Sequence, residues 1–125
     1  MDAKKTILFL EDEPDLLTSV SRLLREAGYR VIERRTAEEG LTEISKRNPD
    51  LMLVDIKLPG IDGLEFFRTV KTMEQVKEKP FIFLTAFNSL KTAMETRRQG
   101  AAEYITKPFD FEYLLARIMD LAPPG

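Results

Sequence analysis

Five short apolar runs alternate with five amphipathic stretches along the 125 residues. Thr6–Leu10 reads as a strand. Pro14 takes a first helical position, and Leu16, Leu17, Val20, Leu23, Leu24 and Ala27 recur on one helical face until Gly28 stops the helix. Residues 29–34 alternate weakly, as an edge strand does. Thr36 followed by Glu39 forms a capping box; it opens a second helix with Ala37, Leu41 and Ile44 on its apolar side, closed by Asn48-Pro49-Asp50. Leu51–Val54 carries no polar residue and stops at Asp55, the appearance of a strand buried on both faces. Residues 56–63 form a loop holding Pro59, Gly60 and Gly63, and a third helix is predicted over 64–73. Residues 81–84 are a fourth strand ending at Thr85. A fourth helix over 89–99 is thinly apolar, with only Leu90, Ala93 and Met94 to offer a face, and Gly100 stops it. Glu103–Thr106 is the fifth strand. Asp110 caps a last helix that turns Phe111, Leu114, Leu115, Ile118 and Leu121 inward.

The pattern is therefore (βα)5. Strict alternation with short loops implies an α/β fold: a doubly wound, five-stranded parallel sheet covered by helices on both faces, with right-handed crossovers. The expected strand order is 2-1-3-4-5, taken from that class of sheet and not read from these residues. One domain over residues 1–122 accounts for the pattern, and 123–125 (Pro-Pro-Gly) read as the start of a linker.

Composition narrows the function. The hydrophobic fraction is 43% and the charged fraction 32%, as for a globular domain. There is no Cys, hence no disulfide or zinc–thiolate site, and no His, so any phosphohistidine must belong to another protein. A net charge of −2 with interspersed signs offers no footprint for direct nucleic-acid binding. No apolar run approaches the ~18 residues of a membrane span. The absence of a signal peptide and of Cys fits a cytoplasmic location.

In a sheet of this kind ligands bind beyond the carboxyl ends of the strands, where strands 1 and 3 diverge. Glu11 and Asp12 follow strand 1, Asp55 ends strand 3, Thr85 ends strand 4 and Lys107 follows strand 5, whereas strand 2 ends at Glu33–Arg34, outside the crevice. Three neighbouring carboxylates repel one another unless a cation sits among them. Oxygen ligands with open water positions suit Mg2+. With a Lys and a hydroxyl added, these are the parts of a phosphoryl-binding site, and a carboxylate can serve as its nucleophile. Taken singly each residue has a plainer reading: Glu11–Asp12 as helix-dipole partners, Thr85 as a turn residue, Lys107 and Lys57 as solvated charges, Tyr104 as a half-buried strand residue. Their joint placement on one rim favours the site.

Four segments carry a family resemblance: Ile7-Leu-Phe-Leu-Glu-Asp-Glu-Pro14; Leu53-Val-Asp-Ile-Lys-Leu-Pro-Gly60 with Asp62-Gly63; Leu84-Thr-Ala86; and Ala102-Glu-Tyr-Ile-Thr-Lys-Pro-Phe109. In this order and spacing the chain resembles, over essentially its whole length, the receiver domains of two-component response regulators. The resemblance implies a flavodoxin-like three-layer sandwich and a phosphorylation-dependent switch that catalyses only its own phosphorylation and dephosphorylation. Asp55 would be the phosphoacceptor. Glu11, Asp12, Asp55 and the backbone carbonyl of Lys57 would hold Mg2+ (or Mn2+). Thr85 and Lys107 would grip the phosphoryl group, Tyr104 would be the aromatic switch, and the Lys107–Pro108 peptide would be cis. The implied partners are a sensor histidine kinase or phosphotransfer protein, an output domain beyond Gly125 or in another chain, and a second copy on activation. The surface of the fourth helix, fifth strand and fifth helix would be the output face.

Two departures from the family pattern stand out. Glu11 occupies a position where Asp is commoner. Lys57 puts a long cation two residues after the phosphoacceptor, with a side chain that reaches either phosphoryl oxygens or solvent. An aspartate-nucleophile phosphohydrolase fits less well, because its second Asp would fall at Lys57 and no cap insertion is present. A phosphorylation-independent docking module would not need the acidic residues. The acidic Glu11-Asp12-Glu13 would repel the phosphate of a flavin.

Overall fold

A computed structural model describes residues 4–125. Strands and helices alternate as β1 (Thr6–Leu10), α1 (Pro14–Glu26), β2 (Arg30–Arg34), α2 (Ala37–Lys46), β3 (Leu51–Val54), α3 (Gly63–Val70), β4 (Phe81–Thr85), α4 (Leu90–Arg98), β5 (Glu103–Thr106) and α5 (Phe111–Leu121). All strand pairs are parallel and the order is β2-β1-β3-β4-β5, the expected flavodoxin-like topology. Because successive side chains on a strand point to opposite faces, each central strand feeds two cores. Leu8, Leu10, Met52, Val54, Phe81 and Phe83 pack under α2 and α3. Ile7, Phe9, Leu51, Leu53, Ile82 and Leu84 pack under α1 and α5. This is why β3 and β4 read as unbroken apolar runs while the edge strand β2 does not. Phe67 sits edge-on to both Phe81 and Phe83, with centroids 4.8 and 5.3 Å apart, and each such buried ring contributes roughly 1.5–3 kcal/mol.

Local chemistry sets the helix ends. Side-chain oxygens of Glu13, Thr36, Asp62, Ser89 and Asp110 accept from backbone N–H groups of the first turn of the five helices. The capping box at α2 closes one residue early: the Glu39 carboxylate accepts from Arg35 N, at 3.3 Å. Gly28 and Gly100, with φ of 104° and 109°, take the left-handed conformation that ends α1 and α4.

Two expectations need correction. The third helix ends at Val70, not 73, because Thr72 N and Met73 N bond to the carbonyls three residues back, at 3.0 Å each, tightening the chain into turns. In α4 the expected apolar face does not pack inward. Leu90 is 75% and Met94 53% exposed, Ala93 is half-buried, and the one buried residue is Thr96. Among the described residues no helix is long and apolar enough to cross a membrane.

Candidate functional site

The sheet register carries the site residues to one edge. Asp55 N donates to Leu10 O at 3.0 Å and Glu11 N to Arg34 O at 3.1 Å, so the ladders continue one residue past β3 and β1. Lys107 N donates to Thr85 O at 2.8 Å, tying the exit of β5 to the end of β4. The Lys107–Pro108 peptide is cis.

Three side chains meet. Lys107 Nζ lies 2.8 Å from Glu11 Oε1 and 3.0 Å from Asp55 Oδ2. Glu11 is only 1% exposed and Asp55 6%. The second oxygens are used as well: Glu13 N donates to Glu11 Oε2 at 3.1 Å, and Lys57 N to Asp55 Oδ1 at 3.3 Å. Burial pushes the Glu11 carboxyl above its ordinary range, the Lys107 bond opposes this, and the Asp55 charge adds to the rise. Burial acts to lower Lys107, but its bonds to Glu11 and Asp55 outweigh that and hold the ammonium above its ordinary value. Two carboxylates against one ammonium leave a buried excess of negative charge, which is what attracts a further cation.

The other expected residues are placed differently. Asp12 turns away from this cluster. Its carboxylate Oδ1 is 3.3 Å from an Arg35 guanidinium nitrogen, which also donates to the Asp12 carbonyl at 2.9 Å. Among the described residues no three acidic side chains stand together as a ready ligand set. The donors nonetheless suit a small hard cation. Glu11, Asp55 and Asp12 offer oxygen only, and Mg2+ takes few protein carboxylates while keeping several waters. Thr85 is fully buried, and its Oγ1 accepts from Phe87 N at 3.2 Å. Tyr104 lies over Phe83, with centroids 5.8 Å apart, and its hydroxyl donates to Phe87 O. Burial raises the Tyr104 phenol, and the charge of Asp55 raises it further. Lys57 is exposed, and its ammonium rests 5.0 Å from the centroid of the Phe87 ring.

Two contributors were not anticipated from sequence. Phe87 touches Thr85, Tyr104 and Lys57 through its N–H, carbonyl and ring, respectively. Its signal was present, as a large apolar residue in a short loop two places after Thr85. Arg35 had no such signal. Strand 2 stays at the sheet edge beside β1, and Arg35 just beyond its end reaches Asp12.

Fold and site together define a doubly wound α/β domain with a buried Glu11–Lys107–Asp55 cluster at the switch point between β1 and β3. The family model of the response regulator receiver domain matches residues 7–119, and the chain belongs to that family of signalling domains. It is 37% identical over 114 residues to the phosphate regulon transcriptional regulatory protein PhoB of Pseudomonas aeruginosa, covering 91% of this chain and 50% of that protein. It is 36% identical over 115 residues to the transcriptional regulatory protein TrcR of Mycobacterium tuberculosis, covering 92% and 44%. The chain thus spans about half the length of these curated relatives. Among solved structures, chemotaxis protein CheY4 of Vibrio cholerae superposes with a TM-score of 0.88 at 29% identity, covering 95% of this chain and 99% of that one.

Proposed function

We propose that Asp55 accepts a phosphoryl group from the phosphohistidine of a partner kinase or phosphotransfer protein, and that the chain works as a switch for an output domain or partner. The observation that carries this is the buried Glu11–Lys107–Asp55 cluster at the switch point. An Asp55 carboxylate oxygen attacks phosphorus, the P–N bond breaks, and the imidazole departs with its electron pair. Lys107 already bonds that carboxylate and offsets charge that gathers on the phosphoryl oxygens. Glu11, Asp12, Asp55 and the carbonyl of Lys57 would hold Mg2+ (or Mn2+), which when bound supplies further positive charge to the transferring group.

The readout runs through the β4 exit. The Thr85 hydroxyl accepts from Phe87 N and keeps its own proton to donate to a phosphoryl oxygen. That donation re-aims the loop whose Phe87 carbonyl holds Tyr104. Moving a two-state equilibrium from ~1:99 to ~99:1 takes ~5.5 kcal/mol of preference, of which this bond and the Lys107 pair supply part. The α4 helix, which buries no apolar side chain, is the element with least to lose by shifting. Its exposed Leu90 and Met94, with β5 and α5, form the output face. On this reading residues 1–122 are the switch and the following Pro-Pro-Gly leads toward an output domain.

The test is intact mass after incubation with Mg2+ and acetyl phosphate, beside Asp55→Ala. One added phosphoryl mass, absent in the variant and on chelation of the metal, is expected. No gain, where a known receiver domain labels well, would overturn the phosphorylation reading and leave a docking module.

A further inference from the structure

We propose that Arg35 is a built-in competitor for the divalent cation: its guanidinium holds Asp12 until the cation displaces it, and so sets how tightly the cation binds. The inference rests on the reading of Asp12 as a ligand.

The geometry is specific. One Arg35 guanidinium nitrogen bridges the Asp12 carbonyl, at 2.9 Å, and its carboxylate, at 3.3 Å. The backbone brings the two residues within reach. Leu10 pairs with Arg34 across the β1–β2 ladder and Glu11 N donates to Arg34 O, so Arg35 leaves β2 beside Glu11, and its side chain reaches one residue further to Asp12. Arg35 is itself tethered, since its N–H donates to Glu39 at the head of α2.

The three carboxylates are held by different cations. Glu11 and Asp55 share Lys107, whose side chain is mostly buried and which belongs to the phosphoryl site itself. Asp12 is held by a side chain that is 54% exposed, and its own is 49% exposed. Such a pair is screened by water and opens readily, so it can yield to a doubly charged ion where a buried pair would not. A released guanidinium has somewhere to go. An open depression of about 450 Å³ adjoins it, bordered by Glu33, Thr36 and Glu39.

The magnitude follows from the exposure. Half-exposed pairs contribute little, so removing the competitor should tighten cation binding by about two- to fivefold. The gain should shrink as salt rises, because the Debye length falls to ~3 Å at 1 M.

Mg2+ titrations followed by the backbone amide shifts of residues 11–13 and 57 test this, on wild type, Arg35→Ala and Arg35→Lys, with thermal unfolding to confirm that each is folded. The expected result is tighter binding in Arg35→Ala by about two- to fivefold at low salt, with Arg35→Lys between, since Lys keeps the charge but lacks the fork. Equal affinities in wild type and Arg35→Ala would overturn the competitor role and leave the metal site standing. Arg35→Lys matching wild type while Arg35→Ala binds tighter would reduce Arg35 to a distant charge and also overturn it. If neither wild type nor Arg35→Ala responds to Mg2+, the metal reading itself falls and takes this one with it.

Discussion

A methyl group added at Gly63 meets backbone, not side chains. A Cβ built there would lie 2.2 Å from the Asp55 carbonyl oxygen, 2.9 Å from its carbonyl carbon and 2.8 Å from Ile56 Cα. None of these atoms can rotate away. To reach even 3.0 Å from the oxygen, α3 and the end of β3 must part by about 0.8 Å, in a region already tied by Gly63 N to Ile56 O at 2.8 Å. Overpacking of this kind costs about 3 kcal/mol, the upper end of the usual range, because the strain cannot relax into a rotamer. In a domain of this size that lowers Tm by roughly 10 °C. The displaced backbone is that of Asp55, so the carboxylate leaves its 3.0 Å contact with Lys107. Labelling by acetyl phosphate should fall on the order of 10- to 100-fold. Gly40→Ala is the internal comparison. Its nearest neighbours are Leu10 methyl carbons at 2.9 and 3.0 Å, which can shift, and helix propensity returns about 1 kcal/mol. Urea unfolding and labelling kinetics on both variants give the answer. A Gly63→Ala protein within about 1 kcal/mol of wild type that labels normally would refute the reasoning; so would a Gly40→Ala protein destabilised as much as Gly63→Ala.

Two further predictions concern stability alone. Ser21 Oγ on α1 is buried and, among the described residues, has no hydrogen-bond partner, so Ser21→Ala should stabilise the fold by about 1 kcal/mol, read as a rise in the urea midpoint; a drop would show that the hydroxyl is satisfied in solution. The Glu43 carboxyl is held below its ordinary value near 4.5, chiefly by the Arg34 hydrogen bond at 2.7 Å, against burial and with the charges of Arg34, Lys46 and Arg47 assisting. A depressed carboxylate contributes stability that is present above the unfolded value and is lost as pH falls through the folded one. Wild type should therefore exceed Glu43→Gln most at neutral pH, with the gap closing below about pH 4.5. A gap unchanged from neutral pH to pH 3 would contradict the charge-based account.

Much of the fold and of the candidate site was legible from order along the chain. The unbroken apolar run at Leu51–Val54 marked a strand buried on both faces, and the apolar run at 81–84 marked another strand, since a strand covered by two helical layers has no side that tolerates polarity. Caps at Thr36 and Asp110 marked helix starts, because capping is a contact within a few residues. Glu11, Asp55 and Lys107 could be placed on one rim once the alternation fixed a parallel sheet, because every strand of such a sheet ends at the same edge.

What the sequence could not settle was which atoms meet across that edge. Periodicity gives Leu90 and Met94 a common side of α4, but a face becomes interior only where a neighbour covers it, and among the described residues none does. Lys57 and Phe87 are 30 positions apart and Asp12 and Arg35 are 23 apart, and no local rule pairs residues so distant. Composition supplies cations and carboxylates without saying who holds whom. Local hydrogen bonding and hydrophobic periodicity act over a few residues and are written in the chain itself. The partition of three carboxylates between Lys107 and Arg35 depends on sheet register, burial and the direction each side chain leaves the backbone, and only the packed tertiary structure decides those together.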